Sequence, residues 1–230
     1  MQVLAIIPAR AGSRGIPLKN LAVVAGKSLL RRAIESAQAA TCINRLIVST
    51  EDVRIGLEAN RLGCTVEFRP DELATDEATT IAVLQWHLAQ ADVKPDAVLC
   101  LQPTCPLRRA EDIDGAISLM ERTDCDSVIS VADVGQNHPD RMVGLWADQR
   151  IRPNREKLQF APRQHLPPLY IRSGDIYLIR SNVVSAAKCS DDMAGDDCRA
   201  WVIPPERHCN IDEPVDLVTA EALVKHWEGK

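Results

Sequence analysis

Apolar residues along this chain fall into two alternating arrangements: short unbroken runs, and longer stretches where they recur at helical spacing. Val3 to Ile7 has the length and composition of a buried parallel strand. Ser28 then stands where it can cap a helix whose Leu29, Leu30, Ala33, Ile34 and Ala37 share one side, with Arg31, Arg32 and Glu35 outside. Leu46 to Thr50 reads as a second strand, Ile55 to Leu62 as a helix stopped by Gly63, and Thr65 to Phe68 as a third strand. Thr79 or Thr80 opens a helix carrying Ile81, Leu84 and Leu88, in which Trp86 and His87 read as packing or rim residues. The alternation continues with a strand at Ala97 to Leu101, a helix from Ala110 to Arg122 and a strand at Ser127 to Val131. Ser173 to Ile179 reads as a turn and a returning strand, Trp201 to Ile203 as a last strand, and Asp216 to Trp227 as a closing amphipathic helix. Strands and helices alternating in this way predict an α/β fold of three layers, a doubly wound and mostly parallel sheet.

The segment from Ala132 to Leu166 breaks the pattern. Its periodicity is weak, it carries Trp146 and several arginines, and it leaves through Pro167-Pro168. It is too long for an ordinary connection. The expectation is a single domain over 1–230 in which 132–166 is an inserted arm or small subdomain suited to subunit contact, hence a homodimer.

Length and composition narrow the function classes. A chain of 230 residues can bury a sizeable core as one domain, and 46% hydrophobic with 26% charged residues is an ordinary soluble composition. A net charge of -5 gives no general basic field for nucleic acid, so basic clusters must be local sites. No apolar stretch approaches the roughly 20 residues that span a bilayer, and no basic-apolar-small leader pattern opens the chain. A cytoplasmic location without membrane contact is expected. The eight cysteines form no C-x-x-C pair and the five histidines no H-x-x-x-H, which argues against zinc and for reduced core thiols. Cys105 lies in a candidate site loop, but no histidine pattern marks it as a nucleophile. Asp191 to Asp197 reads as a solvated acidic loop without the spacing of a calcium loop.

The candidate chemistry begins where the first strand ends. In a doubly wound sheet, ligands sit outside the carboxyl ends of the strands. There the chain turns basic and glycine-containing: Arg10, Arg14 and Lys19 place three cations within ten residues, and Gly12 and Gly15 let the backbone bring its N–H groups close to an anion. Such a loop suits a polyphosphate. It is neither G-x-x-x-x-G-K-[ST] nor G-x-G-x-x-G, and Pro17 opposes a helix starting directly after Gly15. The strand at Ala97 to Leu101 delivers a second loop, Gln102-Pro103-Thr104-Cys105-Pro106-Leu107-Arg108, held stiff by its two prolines and facing the same crevice.

Four separated stretches, Ile7 to Asn20, Arg69 to Thr80, Leu101 to Arg108 and Ile211 to Leu217, together resemble the acylneuraminate cytidylyltransferases. A fifth, Pro162-Arg163-Gln164 through Arg172-Ser173-Gly174-Asp175-Ile176-Tyr177, is similar to that family's acceptor-side segment. The resemblance implies a Rossmann-like nucleotidyltransferase fold and transfer of CMP from CTP to an acidic acceptor, with magnesium as cofactor and pyrophosphate as leaving group. By it, Lys19, Arg14 and Asp212 are catalytic, and Arg10, Ala11, Gly12, Asn20, Arg69, Ala78 and Thr80 bind the nucleotide. Gln102, Arg163, Arg172, Ser173, Tyr177 and Arg141 line the acceptor side. Asp212 holds the metal ion, with Asn210 beside it.

The chain departs from the family pattern twice. Asn210-Ile211-Asp212 stands in place of Asp-x-Asp, which removes one charge from the metal position, and Ser173-Gly174 stands in place of Asn-Gly on the acceptor side. The second leaves two acceptors open: a nonulosonic acid of sialic type, the family default, and a small phosphonate acid such as phosphonoformate. Two other function classes remain as contrasts. A nucleotide-sugar glycosyltransferase needs D-x-D where Gln102-Pro103-Thr104 stands, and a non-catalytic nucleotide-binding member has no need of Arg14, Lys19 and Asp212.

Overall fold

The computed structural model describes residues 1–13, 15–154 and 162–228. Its strands are β1 (Val3–Pro8), β2 (Val23–Val24), β3 (Lys27–Ser28), β4 (Arg45–Thr50), β5 (Thr65–Phe68), β6 (Ala97–Cys100), β7 (Ser127–Asp133), β8 (Val143–Leu145), β9 (Ile151–Pro153), β10 (Tyr170–Arg180) and β11 (Cys198–Val202). The helices are α1 (Leu29–Ala39), α2 (Val53–Arg61), α3 (Thr80–Gln90), α4 (Ala110–Thr123), α5 (Ser181–Ala186) and α6 (Pro214–Glu228). Three of them start on side chains placed for it. Ser28, Asp52 and Thr79 accept the first free backbone N–H groups of α1, α2 and α3.

Seven strands form one sheet in the order β11-β7-β10-β6-β1-β4-β5. All run parallel except β10, which is antiparallel to both β6 and β7. The chain starts in the middle at β1, builds outward through β4 and β5, and then crosses to β6 on the other side of β1. The topological switch point is therefore between β1 and β6, and a crevice opens at their carboxyl ends. Both candidate loops leave from there.

Alternation along β1 supplies both faces of the core. Val3, Ala5 and Ile7 pack with Leu30 and Ile34 of α1 and Ile113 and Ile117 of α4. Leu4 and Ile6 pack on the opposite face with Ile81, Leu84 and Leu88 of α3 and Val184 of α5. His87 is buried as well, between Glu67 (Nδ1, 2.7 Å) and Ser49 (Nε2, 2.6 Å). A third apolar cluster joins Ile16 of the first loop to Leu107, Ile211 and the α6 residues Ala220 and Val224. It fixes the basic loop against the segment that carries Asp212.

The inserted arm is shorter than the sequence pattern suggests. Ala132 and Asp133 still belong to β7, where they pair with Ile171 and Tyr170 of β10. After them, two single turns lead to the β8–β9 hairpin, which exposes Met142, Val143, Leu145, Trp146 and Ile151. The Arg152 guanidinium lies over the Trp146 ring at 5.6 Å. The acidic stretch keeps Asp191, Asp192 and Asp196 exposed, as expected of a solvated loop, but Ser190–Ala194 forms a 3-10 turn whose Met193 is buried in the sheet's α3 face. No helix among the described residues is long and apolar enough to cross a membrane.

Candidate active site

A cleft of about 290 Å³ opens over the switch point, bordered by Arg10, Gly12, Lys19, Arg69, Gln102 and Asp212, among others. Leu18 adopts a left-handed conformation, φ 51°, and a single 3-10 turn, Lys19–Leu21, follows. That reversal points Lys19 back at the far wall, where its Nζ donates to the Ile211 carbonyl at 2.8 Å and to Asp212 Oδ1 at 3.0 Å. Asn20, buried, donates from Nδ2 to the Arg10 carbonyl at 2.9 Å and so closes the loop on itself. Arg10 pairs with Asp76 at 2.8 Å and also donates to the Thr75 carbonyl, tying the loop to the stretch that leads to Ala78 and Thr80. Ala78 and Thr80 both border the cleft.

Arg69 is buried at the cleft wall, where burial pulls its guanidinium below the ordinary value. Its Nε is buried and has no hydrogen-bond partner among the described residues. The backbone N–H of Ala11 donates to Glu51 Oε1 at 2.6 Å. Glu51 also reaches Arg69 with its other oxygen, at 3.4 Å. This glutamate follows directly on β4, at the carboxyl end of a strand next to β1. That position is the signal the sequence offers for it.

The two glycines of the loop serve different purposes. A Cβ on Gly12 would meet nothing within 4 Å, because its backbone faces the open cleft. A Cβ on Gly15 would lie 2.5 Å from the Asp212 carbonyl oxygen. Gly15 is therefore the point where the loop backbone packs on the Asp212 segment. We expect Gly15→Ala to lose about 1–3 kcal/mol of stability through this overlap and to raise KM for the nucleotide. A melting temperature equal to the parent's would show that the two segments separate freely.

Asp212 is an exposed carboxylate with both oxygens engaged: Oδ1 by Lys19 and Oδ2 by Asn210 Nδ2 at 2.9 Å. Its backbone N–H and that of Glu213 donate to Asp216, whose carboxyl they hold below the ordinary range, Glu213 first. Among the described residues no three His, Cys, Asp or Glu groups come together as a metal cluster. The donor set fits magnesium nonetheless. That ion is content with one or two protein oxygens when phosphates and water supply the rest, and Asp212 with the Asn210 amide offers that many.

A second cleft of about 150 Å³ adjoins the first, bordered by Thr80, Gln102, Ile129, Arg172, Tyr177, Ser190, Asp191 and Met193, among others. Thr80 and Gln102 border both clefts and mark the junction. Gln102, Arg172 and Tyr177 are thus brought together as the sequence suggests. Ser173 is not: it is 1% exposed, and its hydroxyl donates to Ser130 Oγ at 2.8 Å, inside the sheet. The reason is the irregularity of β10 between Arg172 and Tyr177, where Gly174 takes φ 86° and the pleat turns Ser173 inward. Arg141 ends an exposed 3-10 turn in the arm and borders neither cleft, because the arm begins beyond β7. Arg14 and the Arg163 side chain lie outside the described residues.

Beneath the junction runs a buried brace. Arg108 donates from one guanidinium nitrogen to the Gln102 carbonyl at 3.0 Å and to the Asp175 carbonyl at 2.9 Å. Burial pushes the Asp175 carboxyl above the ordinary value, with Ser173 and Arg108 acting against it. Ile211 donates its N–H to the Thr104 carbonyl at 3.0 Å, so the Asp212 segment is attached to the same loop. Cys105 packs here, 2% exposed, and burial pushes its thiol well above the ordinary value.

The cytidylyltransferase family model matches residues 4–190. A CMP-N,N'-diacetyllegionaminic acid synthase from Legionella pneumophila is 39% identical over 138 residues, covering 58% of this chain and 59% of that protein. An N-acylneuraminate cytidylyltransferase from Streptococcus agalactiae is 32% identical over 190 residues, covering 77% of this chain and 43% of its own length. The chain thus spans about half the length of the curated relatives it matches. Among solved structures, a CMP:2-keto-3-deoxy-manno-octonic acid synthetase complexed with CTP superposes with a TM-score of 0.74 at 18% identity, covering 99% of this chain and 100% of that one. That likeness fixes the fold as nucleotidyltransferase-like. The chain belongs to the cytidylyltransferase family, as its resemblance to the acylneuraminate cytidylyltransferases implied.

Proposed function

We propose that this protein transfers CMP from CTP to a nonulosonic acid of sialic type and releases pyrophosphate. The observation that carries the reading is the pair of adjoining clefts, one bordered by Arg10, Lys19 and Arg69 and the other by Arg172, meeting at Thr80 and Gln102. A triphosphate in the first and an acid in the second would put the α-phosphorus and an acceptor hydroxyl at that junction. The hydroxyl oxygen forms the new bond to phosphorus, the bond from the α-phosphorus to the bridging oxygen breaks, and the hydroxyl proton leaves to solvent. Negative charge grows on the pyrophosphate, and Lys19 stands fixed where it can neutralise that charge. Asp212, with Asn210 beside it, would hold magnesium, which would supply further positive charge to the phosphates. Arg69 anchors the nucleotide end, and Arg172 pairs with the acceptor carboxylate.

The same reading includes a homodimer formed through the β8–β9 hairpin, whose exposed Val143, Leu145, Trp146 and Ile151 form an apolar surface unusual for a free arm. A cytoplasmic location follows from the supply of CTP. The direct test is pyrophosphate release from CTP and magnesium with N-acetylneuraminate and phosphonoformate in parallel. Turnover with the sugar acid is the expected result. Turnover with the phosphonate alone would reassign the acceptor, and CTP binding without turnover on any acid would make the protein a nucleotide-binding module.

A further inference from the structure

The second cleft carries two opposite charges. Arg172 and Asp191 are its charged lining residues, and the rest are neutral polar (Thr80, Gln102, Tyr177, Ser190) or apolar. Neither makes an ion pair or hydrogen bond within the described residues, so both charges are presented to whatever enters. Asp191 is placed there by its surroundings. Asp192 accepts the N–H groups of Lys188 at 2.7 Å and Cys189 at 3.1 Å, Met193 is buried against the α3 face, and the Ala194 carbonyl accepts the Ser127 hydroxyl. With both flanks of the turn anchored, its remaining acidic side chain faces the cleft.

We infer that Asp191 is a specificity-determining residue of the acceptor site: it selects an acid that presents an N–H or O–H group away from its carboxylate, and it rejects a small dianion. This deepens the proposed function and rests on it. The chemistry is that of a two-point anchor. A guanidinium takes a carboxylate in paired hydrogen bonds, and a carboxylate accepts only from donors. A polyhydroxylated, amide-bearing acid can satisfy Arg172 at one end and Asp191 at the other. A compact phosphonate has at most one P–OH proton to offer Asp191, held beside its own charges, and brings a second negative charge towards it. The neutral hydroxyls of Ser190 and Tyr177 both donate and accept, which makes them adaptable partners for a polyol.

The test is acceptor binding to the CTP-loaded full chain, measured by calorimetry with EDTA present so that turnover is suppressed. N-acetylneuraminate and phosphonoformate are the probes, with the parent protein, Asp191→Ala and Asp191→Asn. We expect Asp191→Ala to weaken N-acetylneuraminate binding by about 10- to 100-fold, the range of one hydrogen bond to a charged group, while CTP affinity stays within about twofold of the parent. Asp191→Asn, which keeps an acceptor oxygen, should recover part of the loss, and phosphonoformate should bind the variants no worse than the parent. Unchanged N-acetylneuraminate affinity in Asp191→Ala would overturn the inference, as would parallel losses for both probes or a parent that prefers phosphonoformate. Absence of pyrophosphate release with magnesium restored, alongside this binding pattern, would refute the catalytic reading while leaving the selection by Asp191 standing.

Discussion

Lys19→Ala is expected to lower kcat by about 10²-fold or more, the size of effect seen when one charge-stabilising donor is removed from a preorganised site. The expectation rests on how Lys19 is held. Its Nζ is fixed by the Ile211 carbonyl and by Asp212 at the cleft wall, so its charge is in place before the pyrophosphate begins to leave. The loop does not depend on it for shape: Ile16 anchors in the α6 cluster, and Asn20 bonds the Arg10 carbonyl independently. A folded variant with a small change in KM for CTP and a large fall in kcat is the predicted signature, because the interaction strengthens as charge develops. A near-normal kcat would place the triphosphate elsewhere.

Most of the framework was legible because local pattern and tertiary demand agree in it. The strand at Val3 to Ile7, the cap at Ser28 and the stop at Gly63 each follow from periodicity and backbone chemistry, and the structure keeps them. The order of strands in the sheet was not legible in the same way. That β10 runs against its neighbours depends on a chain return through the arm, and nothing in the eleven residues of the strand records its direction. Site residues divided along the same line. The loops that carry Lys19 and Gln102 stood out because they leave the carboxyl ends of β1 and β6, which the fold class itself makes special, whereas Asp212 was reached only through the family resemblance. Ser173 could not be oriented, since the register of β10 shifts by three residues between Arg172 and Tyr177, and an odd shift in a strand moves a side chain from one face to the other. Glu51 and Asp191 do not stand out in the sequence as site residues, because an anionic ligand calls for cations and not for carboxylates. The contacts of Glu51 with the Ala11 N–H and with Arg69 show that such a site also uses an acidic group to position its cations.

Asp212→Asn is expected to abolish most activity at limiting magnesium, with Asn210→Asp leaving activity intact or raising it. In the folded chain Asp212 is the shared acceptor of Lys19 and Asn210, and it is the carboxylate facing the cleft at this end. Converting it to an amide removes the strongest oxygen donor for a hard cation and the counter-charge of Lys19 together. Restoring a carboxylate at 210 instead adds a second hard donor two residues away, where the Asn210 amide already borders the cleft. The pair of variants separates two explanations of the asymmetric Asn-x-Asp. If Asn210 is a weakened ligand, Asn210→Asp lowers the magnesium concentration needed for half-maximal rate. If Asn210 is needed as a donor to Asp212 Oδ2, the same change sets two carboxylates against each other, and activity falls at every magnesium concentration. The first outcome is the one expected, because a cation between the two carboxylates removes the repulsion that would otherwise separate them.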